Sequence, residues 1–460
     1  MKKQEYNLFT AISMIIGIVI GSGIFFKADD ILRFTGGSVW LGVFVFTIAA
    51  ISIVFGSLSI AQLAFLTDKP GGIITYMEET WSNAFAGSFG FFHTLVYYPT
   101  LVVIISWVSG IYLLMLFGVN NTLELQCAIG VVIVIFLYLL NIYSKKLGNY
   151  LQISATIIKI IPLILIAFAG LCFGDTSNIT LEPTVANVSK FGFISAIVPI
   201  SFSFDGWIVA TSIAHEVKNS KKALPTALVI SPIFILVIYS LYLIGISAII
   251  GPDQIIALGD DHVAQASTII FGDLGAKLIL VFVIISVIGA VNGLIIGLIR
   301  LPYSLAERGF FPKFPKINEV DETLDIPVYS AIASFLISMC WYVAHYFVMK
   351  FDLLTGSDVS EIAIVVTYVF YIALYVAVLK LHKKGVIVGI FKGCVFPILA
   401  TIGSLIIFAG SIINTSGTGG FFNIKALNFI IVSAVIILLS YAHCVKIEAS
   451  KKANLENTDN

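Results

Sequence analysis

The chain has 460 residues, of which 59% are hydrophobic and only 11% charged, against about 25% charged in a soluble domain. With a mean hydropathy of +1.03, this composition excludes a soluble globular protein. The 26 basic and 26 acidic residues cancel, which removes the basic face that nucleic acid would need.

A membrane-crossing helix needs about 20 predominantly apolar residues. Windows free of Asp, Glu, Lys and Arg run 6–26, 34–67, 80–123, 125–144, 223–252, 278–299, 326–349, 362–379, 393–424 and 426–445. Two more, 147–174 and 191–215, are each interrupted by one charge, Lys159 and Asp205. Together they predict an all-α integral membrane protein with twelve spans. The runs are apolar all round, unlike the short alternating strands of a membrane barrel. The first span follows Lys2 and Lys3, but it lacks a small-residue cleavage site and is long enough to cross, so a signal peptide is not expected.

Lys and Arg fix the orientation. With both termini inside, 19 of the 26 basic residues lie on the inner side. Six (Lys27, Arg33, Lys190, Lys277, Lys350 and Lys425) lie outside, and Lys159 is left within the membrane. A multi-pass plasma-membrane protein with cytoplasmic ends is therefore expected. The longest connections are 251–277 outside and 301–326 inside, and the polar tail 448–460 is expected to be disordered.

Span 1 reads Gly17-Ile18-Val19-Ile20-Gly21-Ser22-Gly23-Ile24-Phe25. Glycine lets a helix stop and turn, and Gly-Ser-Gly sits mid-span. Unwinding there would start a second half-helix whose free amides attract an anion, while the carbonyls freed from the first half attract a cation or ammonium. The competing reading is helix packing, because Gly17 and Gly21 also form GxxxG. Span 5 carries Lys159, either buried against freed carbonyls or snorkelling to an interface. Span 6 reads Pro199-Ile200-Ser201-Phe202-Ser203-Phe204-Asp205-Gly206-Trp207. Asp205 either faces a wet cavity or caps a second half-helix.

Spans 1 and 6 each open a set of five, and an odd number of spans per set inverts the second set. The expected architecture is thus a 5+5 inverted repeat, the plan of secondary transporters, plus two C-terminal helices, with helices 1 and 6 discontinuous and the site between them. The units are a tail 1–7, a first repeat 8–174, a second repeat 189–381, helices 11 and 12 over 391–447, and a tail 448–460. Gly17, Gly21 and Gly206 are candidate hinges.

Several other functions are disfavoured. The five cysteines (Cys127, Cys172, Cys340, Cys394 and Cys444) are far apart and the six histidines scattered, so no metal site, no cofactor and no disulfide framework is expected. No HExxH or GxSxG is present, which argues against an enzyme. Neither the charged rings nor the filter repeats of a channel are visible.

GIVIGSGIF at 17–25, PGGIITYMEETW at 70–81, NIYSKK at 141–146, Lys159, FSFDGW at 202–207, EVKN and LP between 216 and 225, VNG at 291–293 and AERGFFP at 306–312 occur in order along the chain. In these pieces the chain resembles the amino acid–polyamine–organocation (APC) superfamily. Within it, it is similar to the L-type amino acid transporters and their bacterial serine/threonine or alanine-serine-cysteine exchanger relatives. Two features depart from that pattern. Asn219-Ser220 replaces the usual Asn-Pro after helix 6, and the short loop 118–124 lacks the cysteine that joins an ancillary subunit.

The resemblance implies a transported α-amino acid in the bilayer and no disulfide-linked partner. Its carboxylate would sit on Ser22 and the amides of Gly23 and Ile24. Its ammonium would meet carbonyls of Val19, Phe202 and Asp205. Phe202 is the candidate outer gate, although it could equally be plain packing. Asn292, Leu294 and Ser106 are candidates for the side-chain pocket. Lys159 would replace the sodium ion of coupled relatives. The leading expectation is sodium-independent exchange of small neutral amino acids; the alternative is a proton-coupled symporter, with Asp205 as the titrating group.

Overall fold

A computed structural model describes residues 7–21, 23–67, 72–179, 192–208, 217–311, 314–324, 326–354, 358–413 and 422–458. Among the described residues the chain is all helical, with two isolated bridge pairs and no strand. In lipid the helix is favoured because it satisfies each backbone polar group within its own segment.

The first span consists of α1 (Leu8–Val19) and α2 (Gly23–Phe34), bent by 58°. After it come α3 (Val39–Ala64) and the short α4 (Ile73–Thr80). Helices α5 (Asn83–Phe92) and α6 (Tyr98–Phe117) form one 35-residue span through a π turn at His93–Tyr97. Helix α7 (Leu123–Tyr143) leads into α8 (Lys145–Ile158) and α9 (Ile160–Phe173), which meet at Lys159. The short α10 (Gly192–Ser195) and α11 (Ile197–Ser203) precede the long α12 (Ser220–Ile250) and then α13 (Pro252–Leu258). Helix α14 (His262–Glu307) is broken at Gly272, which is non-helical with φ of 67°. Helices α15 (Val328–Lys350), α16 (Val359–Lys383), α17 (Phe396–Ile412) and α18 (Ile424–Thr458) complete the chain.

Local chemistry sets several ends. Asn7 caps α1 by accepting the Thr10 amide at 2.8 Å, and Ser82 caps α5 through the Phe85 amide at 3.1 Å. Left-handed Gly118 ends α6, as glycine commonly does at a helix C-terminus. Nine helices among the described residues are long and apolar enough to cross a membrane, and the bent pair α1/α2 makes a tenth. Exposed Phe136, Phe168 and Leu438 belong to the outward apolar surface.

Small residues let the inner helices approach closely. A Cβ at Gly170 would stand 2.1 Å from the Gly245 carbonyl oxygen, so α9 and α12 meet backbone to backbone. Such contacts drive association where lipid removes the hydrophobic incentive.

The structure corrects three boundaries. Span 1 does not end before Lys27, because α2 carries Lys27, Asp29 and Asp30 inside the helix, where ion pairing replaces hydration. The connections 251–277 and 301–326 are partly helical, since α13 and the ends of α14 occupy them. The segment from 448 to Thr458 continues α18 rather than fraying. There Lys451 donates to the Arg308 carbonyl at 2.8 Å, which ties the extension to the end of α14.

Candidate functional site

Helix α1 stops because Ile20 turns extended, with φ −68° and ψ 101°. The last carbonyls of a helix need partners from outside its own ladder. Ile16 oxygen accepts the Ile20 amide at 2.9 Å. Gly17 oxygen accepts from the Lys159 ammonium. Val19 oxygen accepts from the Tyr239 hydroxyl at 3.3 Å.

The same hydroxyl donates to Ser203 oxygen at 3.0 Å. Ser203 ends α11, where Asp205 N donates to Phe202 oxygen at 3.1 Å. A single Tyr239 proton is therefore shared between the C-terminal ends of α1 and α11. The two segments also touch directly. A Cβ on Gly23 would lie 2.7 Å from Ser203 Cα, and one on Gly206 would lie 2.7 Å from Ile18 Cγ2. Gly206 has φ of 93°, a region that side chains with a Cβ rarely adopt.

Helix α2 starts at Gly23 with Gly23, Ile24 and Phe25 buried. Its first-turn amides have no acceptor within the helix, and this is the half-helix end that favours an anion. Ser22, the predicted carboxylate partner, lies outside the described residues.

Lys159 stands at the junction of α8 and α9, 1% exposed. Its side chain runs inward to α1 rather than to an interface. Asp205 accepts from the Tyr97 hydroxyl. Tyr97 is the last residue of the π turn, and π turns re-aim side chains, frequently at functional sites. Residues 206–208, which would open a half-helix capped by Asp205, are turns, with Gly206 at φ of 93°, and 209–216 lie outside the described residues.

Phe202 packs edge-on against Phe26 with ring centroids 5.3 Å apart. Beyond it, the Lys27 ammonium lies 5.7 Å from the Phe202 centroid. Lys27 is 3% exposed. It pairs with Asp358 at 2.9 Å, Glu361 at 2.8 Å and Asp30 at 3.3 Å. Asp358 in turn caps α16, accepting the Ser360 amide at 2.8 Å and the Glu361 amide at 3.1 Å. The second half of the bent span is thereby tied to the start of α16.

The structure brings Gly17, Val19, Gly21, Gly23, Ile24, Phe202, Asp205, Gly206 and Lys159 into this neighbourhood. The polar ends of Asn292 and Ser106 are engaged elsewhere. Asn292 accepts from the Asn141 amide at 2.8 Å and donates to Gly148 oxygen at 3.0 Å. Ser106 donates to Val103 oxygen at 3.0 Å and bonds the Tyr342 hydroxyl. Helix α14 meets the break two residues earlier, where Ala290 Cβ lies 3.6 Å from the position of a Cβ on Gly21. Two residues along a helix is more than half a turn, so Asn292 points away, whereas half-buried Leu294, four residues on, shares the Ala290 face.

Tyr239, Tyr97 and the partners of Lys27 were missed by sequence reasoning. Tyr239 is one hydroxyl in a 31-residue apolar helix, with no local signal separating it from a packed aromatic. Lys27 looked like the first residue of a loop.

The sequence profile of the amino acid permease family matches residues 6–385. The chain is 30% identical over 429 residues to the serine/threonine exchanger SteT of Bacillus subtilis (strain 168), covering 91% of this chain and 93% of that one. It is 29% identical over 347 residues to the Asc-type amino acid transporter 1 of Mus musculus. It is 26% identical over 333 residues to the cystine/glutamate transporter of Homo sapiens. The mouse and human matches each cover 71% of this chain, but only 62% and 65% of the animal proteins, just under two thirds of their length. The chain belongs to the amino acid permease family of the APC superfamily, and is a multi-pass membrane transporter rather than an enzyme.

Proposed function

We propose that the protein exchanges one small neutral L-amino acid for another across the membrane by alternating access, without sodium. The observation that carries this reading is Lys159 on the Gly17 carbonyl. It sets a fixed ammonium against carbonyls freed by a broken helix, where a coupling cation would otherwise bind. The substrate carboxylate sits on the first amides of α2, through Gly23 and Ile24 with Ser22. Its ammonium meets the carbonyl ends of α1 and α11, at Val19, Phe202 and Asp205. Phe202 closes the site toward Phe26, and Leu294 faces the substrate side chain. The name of the SteT relative supports exchange, and that of the Asc-type relative supports amino acid transport.

The proposed architecture has twelve spans. Helices α8 and α9, which meet at Lys159, form one crossing, and α10 and α11 with the residues after them form another. The first repeat covers 8–174 and the inverted second repeat 189–381, with helices over 391–447 added. Gly17, Gly21 and Gly206 are the hinges, both termini are cytoplasmic, and the membrane is the plasma membrane. Loop residues 118–122 hold no cysteine, which supports a chain working without a disulfide-linked subunit.

One observation favours a second reading. Asp205 is bonded to Tyr97 and forms no ion pair among the described residues, as a proton-carrying carboxylate would require. Vesicles separate the two. Exchange predicts labelled uptake only into vesicles preloaded with an amino acid, unchanged when sodium is replaced. Uptake into empty vesicles driven by an imposed pH gradient would favour proton coupling instead.

A further inference from the structure

At the lysine-rich end of the bundle, a cavity of about 530 Å³ opens between α3, α12 and the start of α17. Lys221 and Lys222 of α12 and Lys392 of the π turn before α17 supply its charge. Leu58 and Phe65 of α3 and Phe396 of α17 supply an apolar wall. No carboxylate lines it, and none of the three ammonium groups has an ion-pair partner among the described residues. Three like charges around one hollow repel each other and are stabilised by an anion.

The adjoining chain identifies the setting. Between α16 and Lys392, Val388 is 81% exposed, and Ile390 and Phe391 are each 64% exposed. Gly385 and Gly389, with φ of 75° and 101°, turn the backbone there. Three large apolar side chains held outward beside lysines are unfavourable in water and favourable at the boundary between headgroups and acyl chains. The cavity mouth therefore stands at headgroup level. Basic pockets between helices on the cytoplasmic side suit anionic headgroups, and the distribution of Lys and Arg puts this end there.

We propose that this cavity holds the phosphate of an anionic phospholipid. Lys221, Lys222 and Lys392 surround the phosphate, and Leu58, Phe65 and Phe396 line the start of the acyl chains. The site is separate from the two helix breaks and does not depend on what the protein transports.

The test uses purified full-length protein in detergent, titrated with phosphatidylglycerol, phosphatidylcholine or glycerol 3-phosphate. Native mass spectrometry counts retained lipid, and thermal melting reports stabilisation. The expected result is preferential retention of phosphatidylglycerol and a rise in melting temperature that glycerol 3-phosphate does not reproduce. Replacing Lys221, Lys222 and Lys392 together by Gln should weaken that retention at least about tenfold, while replacing all three by Arg should keep it. Replacing Lys383, Lys384 and Lys446 by Gln removes the same charge away from the cavity and should leave retention unchanged. An equal loss in both Gln variants would mean diffuse attraction to the basic end and overturn the proposal. So would equal stabilisation by glycerol 3-phosphate, which would mark a site for soluble phosphate esters.

Discussion

The Lys159 ammonium and the Gly17 carbonyl meet inside the protein, joining the α8/α9 junction to the last turn of α1. A charged donor thus holds a backbone acceptor that the interrupted helix cannot satisfy itself.

Lys159→Ala is expected to insert in the membrane but exchange slowly. Losing a charged hydrogen bond removes about 1.5–3 kcal/mol, roughly ten- to hundredfold in the balance between states that differ in this contact. Counterflow in vesicles with matched protein content measures it. Wild-type turnover would show that the ammonium plays no part in the cycle.

Tyr239→Phe removes the one hydroxyl that serves both Val19 and Ser203. Two buried carbonyls then lose a donor, at a cost of about 1–3 kcal/mol for an unsatisfied buried group. A lower melting temperature together with weaker substrate binding is expected. An unchanged protein would mean that water replaces the hydroxyl without loss.

The glycines should separate by position. Gly23→Ala drives a methyl group into the Ser203 backbone, and such overpacking costs about 1–3 kcal/mol. In Gly21→Ala the nearest neighbour would be 3.6 Å away, an ordinary contact. Binding should therefore fail in Gly23→Ala and persist in Gly21→Ala, as read by calorimetry on the purified proteins. The reverse order would contradict the packing of α2 on α11.

Lys27→Gln leaves Asp358 and Glu361 buried without their cation. Removing one partner of a buried pair costs about 3–5 kcal/mol. The double variant Lys27→Gln with Glu361→Gln should recover part of that loss, because one stranded charge is gone. Melting temperatures of the single and double variants give the coupling, and strict additivity would mean that the pair makes no net interaction.

The membrane class, the all-helical build and the interruption of the first span were legible in the sequence, because each depends on local properties. Twenty apolar residues cross lipid wherever they occur, and glycine interrupts them by its own chemistry. The neighbourhood of Lys159 was legible too, since an ammonium in an apolar run has few acceptors other than freed carbonyls.

What surrounds those features came only from the tertiary structure. Asn292 was placed at the site from its position in a motif, but the rotation of α14 presents Ala290 to the break and turns Asn292 toward Asn141 and Gly148. Lys27 ended an apolar window and was read as a loop residue. Two of its three carboxylate partners, Asp358 and Glu361, lie more than 300 positions away, at the start of α16. Tyr239 carries no signal of its own; the ends of α1 and α11 converge on it. Periodicity and composition determine which segments enter the membrane, because that partition is decided residue by residue. Which side chain meets which carbonyl depends on helix rotation and crossing, and those are set by contacts between segments distant in the chain.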